Sequence, residues 1–193
     1  MKVASLAEII PGFVFRSGLN HDPQGRIAVV QASSINGESL VLDLGSLRRT
    51  NEGPDRAKAF AQVGDILIAS RGSATAGFKA AVLTCGDVPV LASSSVYILR
   101  PTSKRALPEY LALYINSALG QTQLAQLLVG GVTRAVRRAD IEGFDLPIPD
   151  LSTQELLVKL HMNTQEQAKI LHRRNTLNAS IFEGTLQIAG KEL

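Results

Sequence analysis

Apolar residues come in short, dense runs over the first hundred or so positions and at helical spacing after that. Ile9-Ile10-Pro11-Gly12 closes an opening segment, read as a short helix or a strand edge. Gly12-Phe13-Val14-Phe15-Arg16 is predicted as a strand, and Asn20-His21-Asp22-Pro23-Gln24-Gly25 as a turn. Arg26-Ile27-Ala28-Val29-Val30-Gln31 is β-branched and apolar, which predicts a strand. Asn36-Gly37 is the favoured tight-hairpin dipeptide, with Leu40-Val41-Leu42-Asp43-Leu44 as the partner strand. Arg48 to Arg56 is polar and turn-rich, an exposed loop. Gly64-Asp65-Ile66-Leu67-Ile68-Ala69-Ser70-Arg71-Gly72 reads as turn, strand, turn. Phe78–Thr84 and Ser94–Leu99 are further strands, separated by Gly86-Asp87-Val88-Pro89. This spacing is that of a curved, mostly antiparallel sheet.

After Arg100-Pro101 the period changes. Tyr110, Leu111, Tyr114 and Ile115 mark one face of a helix that starts at Pro108. A second helix is predicted from Ser117 and Gly120 through Gln121 to Val129, stopped by Gly130-Gly131. Phe144-Asp145-Leu146-Pro147-Ile148-Pro149 is extended, because two prolines fix φ and remove donors. Ser152-Thr153-Gln154-Glu155 then reads as a capping box, with Ser152 as the cap. Neither Pro nor Gly follows until Gly184, so a helix of about 45 Å is predicted, long enough to project or bridge. It carries two partial apolar seams. Leu157, Leu160, Thr164, Ala168, Leu171 and Asn178 form one; Leu156, Leu160, Asn163, Ile170, Leu177 and Ile181 form the other. Neither is a clean heptad, so the helix calls for a second helix or a partner protein, the alternative being a helix folded back on its own sheet. The fold class is α+β: a curved mixed or antiparallel sheet with helices over residues 1–150, then one long C-terminal helix over residues 151–193.

Composition narrows the class. The chain has 193 residues, 45% of them hydrophobic and 19% charged, enough to bury a core without disulfides or metal. No window nears the 18 or so uninterrupted apolar residues of a membrane span, and the start does not read as a secretory signal. The single Cys85 cannot form an internal disulfide, which points to the cytoplasm. The three histidines lack ligand spacing, so no structural metal is expected. The net charge is only +3, but Arg48 to Arg138 holds twelve Lys/Arg against five Asp/Glu, and thirteen of the twenty cations are Arg. Arginine offers a planar fork that matches phosphate and the guanine edge. A basic, arginine-rich middle therefore suggests nucleic acid, with an ordinary solvated surface as the alternative.

Catalytic motifs fail. Gly72-Ser73-Ala74-Thr75-Ala76-Gly77-Phe78-Lys79 nearly spells a phosphate-binding loop, but Phe78 stands where the lysine belongs and a strand-like run follows. Ser93-Ser94-Ser95 lacks a nucleophile elbow and a base. No glycine fingerprint for a dinucleotide or S-adenosylmethionine follows a first strand, and no paired-carboxylate nuclease motif stands out. The chain alone is not expected to be an enzyme.

One ordered set of pieces is more specific. Gly64-Asp65-Ile66-Leu67-Ile68-Ala69-Ser70-Arg71-Gly72 is followed by Ala92-Ser93-Ser94-Ser95-Val96-Tyr97-Ile98-Leu99-Arg100-Pro101, then Pro108-Glu109-Tyr110-Leu111, Tyr114-Ile115-Asn116-Ser117 and Gly120-Gln121. Gly130-Gly131, Asp140-Ile141, Leu146-Pro147-Ile148-Pro149 and the Gln154-Glu155 helix start complete it. In this order the chain resembles the target recognition domain of the DNA specificity subunits of type I restriction–modification systems, best from Gly64 to about Leu160. The resemblance implies that the domain reads one half of a split target on double-stranded DNA. It implies a long helix that serves as spacer and docks methyltransferase subunits, which modify adenine with S-adenosylmethionine. Restriction (motor-nuclease) subunits join for cleavage, and the specificity subunit itself holds no cofactor and catalyses nothing. Family subunits typically carry two recognition domains and two helices; here there is one of each. A homodimer with the long helices paired antiparallel, as a coiled coil, would restore two, and its symmetry would give a palindromic bipartite target. The chain could equally be half of a split subunit. Alternatives are a specificity subunit of another restriction or phage-defence system, or a helix-dimerised interaction module that no longer reads DNA.

Candidate DNA-contacting residues lie on loops of the basic middle. Arg71, Ser73 and Lys79 flank the Gly72 loop; Thr133, Arg134, Arg137 and Arg138 follow Gly130-Gly131; Arg48 and Arg49 open the polar loop. Plain alternatives stand beside them: for Arg71 an ion pair with Asp65 or another local acid, for the Thr133–Arg138 group a basic helix start satisfied by Asp140 and Glu142, and for Arg48 and Arg49 an ordinary solvated loop. Tyr110 and Tyr114 suit core packing better than base stacking.

Overall fold

A computed structural model describes residues 1–54, 59–72, 78–126 and 134–189, with Gly72, Arg134, Ile188 and Ala189 described by backbone alone. The chain forms two compact units, Met1–Val158 and Lys159–Leu193.

The first unit is layered around one antiparallel sheet in the order β1 (Ala7–Pro11), β9 (Val96–Pro101), β5 (Ile66–Ala69) and β7 (Ala80–Val82). Its register sets Ile9 opposite Leu99, Ile66 opposite Leu99 and Val82 opposite Ile66. Successive side chains of a strand point to opposite faces, and here both faces are covered. Ile9, Ile66, Ile68, Ala80, Val82 and Leu99 pack into one core with Tyr110, Leu111, Ile115, Leu124, Ile141 and Val158 of the helices. Ile10, Leu67, Ala81, Val96 and Ile98 pack into a second core, against Ala28, Val30, Val90 and Ala92 of the other sheet. Coverage on both faces is why Ile66-Leu67-Ile68-Ala69 is apolar at every position rather than alternating. The other sheet runs β3 (Arg48–Thr50), β2 (Ile27–Val30), β8 (Val90–Ala92) and β4 (Phe60–Ala61), with β2 and β8 parallel. The α+β class with mixed and antiparallel sheets is the architecture observed, and α1 (Pro108–Asn116) starts at its proline as expected.

Several local expectations give way to longer-range pairing. The opening segment is itself a strand, ending at Pro11, and the strand predicted over Gly12–Arg16 does not form: Gly12 crosses so close to Ser93 that a Cβ would lie 2.0 Å from the Ser93 carbonyl oxygen, and Phe13 keeps only a single bridge to Ser93. Asn36-Gly37 is a turn, with Gly37 at φ 75°, but not a hairpin. Instead Leu42 N–H donates to Val82 O (2.9 Å) and Val82 N–H to Leu40 O (2.7 Å). β2, buried along Ala28-Val29-Val30, lies between β3 and β8, where neither edge faces water. The polar loop predicted from Arg48 begins as β3, a charged edge strand of the kind that discourages further pairing.

Asp150, not Ser152, caps the last helix. Its carboxylate accepts Thr153 N–H (2.9 Å), Thr153 Oγ1 (2.8 Å) and the Ser152 hydroxyl. The Ser152 hydroxyl, then the Thr153 amide and hydroxyl, hold the Asp150 carboxyl down at about 2, from 3.8. A depressed carboxyl contributes stability above its unfolded value and loses it as pH falls toward the folded one. Asp150→Ala should therefore lower the melting temperature at pH 7, with the gap from wild type closing between about pH 4 and pH 2 in parallel thermal melts. A gap independent of pH over that range would refute the capping role.

The last helix, α4 (Leu151–Ala189), runs through Gly184 without a break; it has 39 residues, or roughly 58 Å. Its second-unit part carries Leu160, Met162, Ile170, Leu171, Leu177, Ile181, Phe182 and Leu186, all exposed. Among the described residues no helix is long and apolar enough to cross a membrane.

Candidate nucleic-acid interface

Two basic segments that lie more than sixty positions apart in sequence meet in one ribbon. β6 (Arg71–Gly72) pairs antiparallel with β10 (Arg134–Ala135), setting Arg71 opposite Ala135 and Arg134 opposite Gly72. The ribbon is rooted in the central sheet: Ser70 N–H donates to Ser95 O (2.8 Å), and Val136 N–H donates to Ser70 O (3.0 Å). Val136 is buried, so it anchors the strand while Arg71, Ala135, Arg137 and Arg138 stay exposed. Ser73 and Thr133 lie outside the described residues, as does the Arg134 side chain.

Arg71 does not pair with Asp65. Asp65 is buried and is taken by Arg100, whose Nη2 lies 2.7 Å from Oδ2 and whose Nε lies 3.1 Å from Oδ1. Among the described residues Arg71 has no carboxylate partner. Arg137 and Arg138 do have partners. Arg137 forms a two-point contact with Asp140, Nε to Oδ2 at 3.0 Å and Nη2 to Oδ1 at 2.9 Å, and Arg138 Nε reaches Glu142 Oε1 at 2.7 Å. This is the acid-satisfied helix start weighed for these residues, at α3 (Arg138–Glu142). The hydrogen bond from Arg137 holds the Asp140 carboxyl below its usual range, and Asp140 in turn raises the Arg137 guanidinium.

Lys79 is held differently. On either side of it, Phe78 and Ala80 turn their backbone groups outward along the outer edge of β7, ahead of the Val82 pairing with Leu40 and Leu42, and two side-chain amides meet them. Asn116 Oδ1 accepts Ala80 N–H and its Nδ2 donates to Ala80 O, both at 2.8 Å. Gln121 Oε1 accepts Phe78 N–H (3.0 Å), and its Nε2 donates to Phe78 O (2.9 Å) and Ile115 O (2.6 Å). The two amides mimic a neighbouring strand and close the edge. Lys79 O accepts Ala69 N–H (2.9 Å), and the lysine stem lies over Gly37, where a Cβ would come 2.6 Å from Cδ. The residues after Lys79 form a strand rather than the helix a phosphate-binding loop requires, which removes the nucleotide look-alike on structural grounds.

Arg48 and Arg49 sit on β3, in the other sheet and not on the ribbon. Here His21 Nδ1 lies within hydrogen-bond distance of both the Arg49 carbonyl oxygen (3.2 Å) and the Arg49 amide nitrogen (3.3 Å), and Asn51 Nδ2 donates to Asp22 Oδ2 (2.6 Å). The remaining sequence candidates are structural. Tyr110 is buried with its hydroxyl on Pro147 O (2.8 Å), Tyr114 packs near Phe144, and Ser93 and Ser95 bond each other (2.9 Å).

Sequence reasoning assigned no role to Asn116, Gln121 or Gln154. Gln154 is fully buried; its Oε1 accepts Leu107 N–H (2.9 Å), and its Nε2 donates to Arg105 O (2.9 Å) and Pro149 O (2.8 Å). The signal was present at Gln154, an amide one helical turn before the buried Val158, on the face that enters the core.

With this geometry in view, the family follows. Residues 1–178 match the type I restriction modification DNA specificity domain, and the chain belongs to that family. Its fold is similar to the HsdS subunit from Thermoanaerobacter tengcongensis, at 19% identity and a TM-score of 0.59 over 90% of this chain and 38% of that one. It is also similar to a chain from work on complex assembly and conformational transition of the type I R-M system, at 21% identity and a TM-score of 0.62 over 90% of this chain and 39% of that one. The type I restriction-modification S subunit from M. genitalium aligns at 16% identity and a TM-score of 0.55, over 83% of this chain and 37% of that one. The chain thus spans under two-fifths of each of these neighbours. No curated protein matches it.

Proposed function

We propose that this chain is a sequence-specific DNA-binding specificity subunit of a type I restriction–modification complex. The observation that carries the reading is the β6–β10 ribbon, which gathers the exposed Arg71 and the Arg134–Arg138 segment at one place in a member of a DNA specificity family. Residues 1–150 read DNA. Residues 151–193 supply the dimerisation and spacer helix, on which methyltransferase subunits dock. The chain holds no cofactor and catalyses nothing; it directs an adenine methyltransferase that carries S-adenosylmethionine, together with a motor-nuclease subunit, to a bipartite target. Two copies paired through α4 would supply the two recognition domains. A row of exposed leucines, isoleucines and a phenylalanine on that helix supports this arrangement.

The test is selection from a pool of randomised duplexes, with the full chain alone and with methyltransferase subunits. A split motif with two inverted halves is the expected product. An asymmetric motif would replace the homodimer with a split subunit. Binding that only fades with salt, with no motif, would leave an interaction module and overturn the reading.

Arg71, exposed and without an acidic partner among the described residues, is proposed as a phosphate contact, as is Lys79. Arg71→Ala should weaken binding to cognate and random duplex alike and flatten the salt dependence by about one unit. Unchanged salt titrations would remove Arg71 from the interface.

A further inference from the structure

We infer that Arg137 reads a guanine edge rather than a phosphate, and that Asp140 is its positioning residue; this deepens the DNA-reading proposal and rests on it. A guanidinium has five N–H donors in a rigid fork. Asp140 takes the Nε–H and one Nη2–H, at 3.0 and 2.9 Å. One hydrogen on Nη1 and one on Nη2 remain along the outer edge of the fork, the pair that matches guanine O6 and N7. The arginine side chain is 75% exposed while the Asp140 side chain is 13% exposed, so the acid sits behind and the free edge is open to a ligand.

The backbone of this unit is held as well. Asp140 Oδ2 accepts Arg137 N–H (3.0 Å), and the preceding residue, Val136, is buried and bonded to Ser70 O. Arg137 therefore follows directly from the ribbon that carries Arg71, with its fork set before any ligand arrives. Charge separates the two ligand classes. Arg137 and Asp140 together are neutral, so a phosphate would meet a carboxylate just behind the cation, and little counterion release would follow. A base edge is uncharged and asks only for two aligned donors. Arg138, held at one point by Glu142, lacks this fixed edge.

The experiment repeats the duplex selection with full-length Arg137→Ala, Arg137→Lys and Asp140→Asn, each with a thermal melt. Wild type should fix a guanine at one position in each half of its motif. Arg137→Ala should lose that preference by roughly ten- to hundredfold, a larger loss than any it shows on random duplex. Arg137→Lys, which keeps the charge but not the fork, should lose the same preference; it decides the matter should the alanine variant unfold. Asp140→Asn can still accept the Arg137 amide but frees a net charge. It should weaken guanine preference while steepening the salt dependence by about one unit, a change that a purely structural cap would not produce. Guanine preference surviving in Arg137→Ala and Arg137→Lys, or a flattened salt slope in Arg137→Ala with the motif intact, would overturn the inference while leaving DNA reading in place. A wild type that selects no motif would overturn both.

Discussion

Replacing Asp65 with alanine is expected to destabilise the first unit by about 2–4 kcal/mol, more than a typical surface substitution by several-fold. Asp65 is 2% exposed and satisfies three groups at once: Arg100 Nε, Arg100 Nη2 and the Gln62 amide. Without it, the Gln62 N–H loses its acceptor, and a guanidinium whose charge the carboxylate had favoured is left, among the described residues, with the Phe60 O hydrogen bond (3.1 Å) and the weaker pull of the cross-strand Glu8. Arg100 is 25% exposed, so water recovers part of the loss, and the figure sits below that for a fully buried pair. For a unit of this size the change corresponds to roughly 5–15 °C in melting temperature. Denaturant melts of Asp65→Ala and Arg100→Met check it; a shift under about 0.5 kcal/mol for Asp65→Ala would show that the pair is not a structural tie.

Gln154→Leu is expected to cost about 2–4 kcal/mol although it replaces a polar core residue with an apolar one of similar size. The three hydrogen bonds of Gln154 tie the first turn of α4 to the chain entering α1: Leu107 N–H, Arg105 O and Pro149 O lose their partner together. Leucine fills the space but leaves these backbone groups unpaired, and orphaned donors cost more than a formed hydrogen bond contributes. Hydrogen exchange supplies the specific check, with Leu107 N–H expected to lose protection more than the β5 amides do. Equal protection in variant and wild type would contradict the tie.

These two residues show where reading the chain succeeds and where it stops. Asp65 stands in the Gly64-Asp65 turn that the sequence marks, and Gln154 opens the helix that it marks. Their partners, Arg100 and the Arg105–Leu107 backbone, are 35 and 47 or more positions away. Sequence spacing points to Arg71 as a neighbour of Asp65, yet Arg71 lies one strand further on, on the ribbon, while Arg100 on β9 lies beside β5. The hairpin expected at Asn36-Gly37 failed for the same reason. Turn chemistry specifies the turn, but the partners of β2 are chosen by how much apolar surface each pairing hides. β8, three residues long, is too short to show a period and becomes a strand only because β2 and β4 bond to it.

By itself, the sequence determined the α+β class, the buried strands of the central sheet, the helix that starts at Pro108, the long C-terminal helix and the family likeness. Each rests on local pattern: side-chain period, proline and glycine geometry, and the order of motifs. Tertiary structure alone decided that the Arg71 and Arg134 segments form one ribbon, that Asn116 and Gln121 close the edge beside Lys79, and that Arg100 rather than Arg71 takes Asp65. Those are pairings between distant positions, set by packing and by the demand that buried polar groups find partners, and nothing in local spacing encodes them.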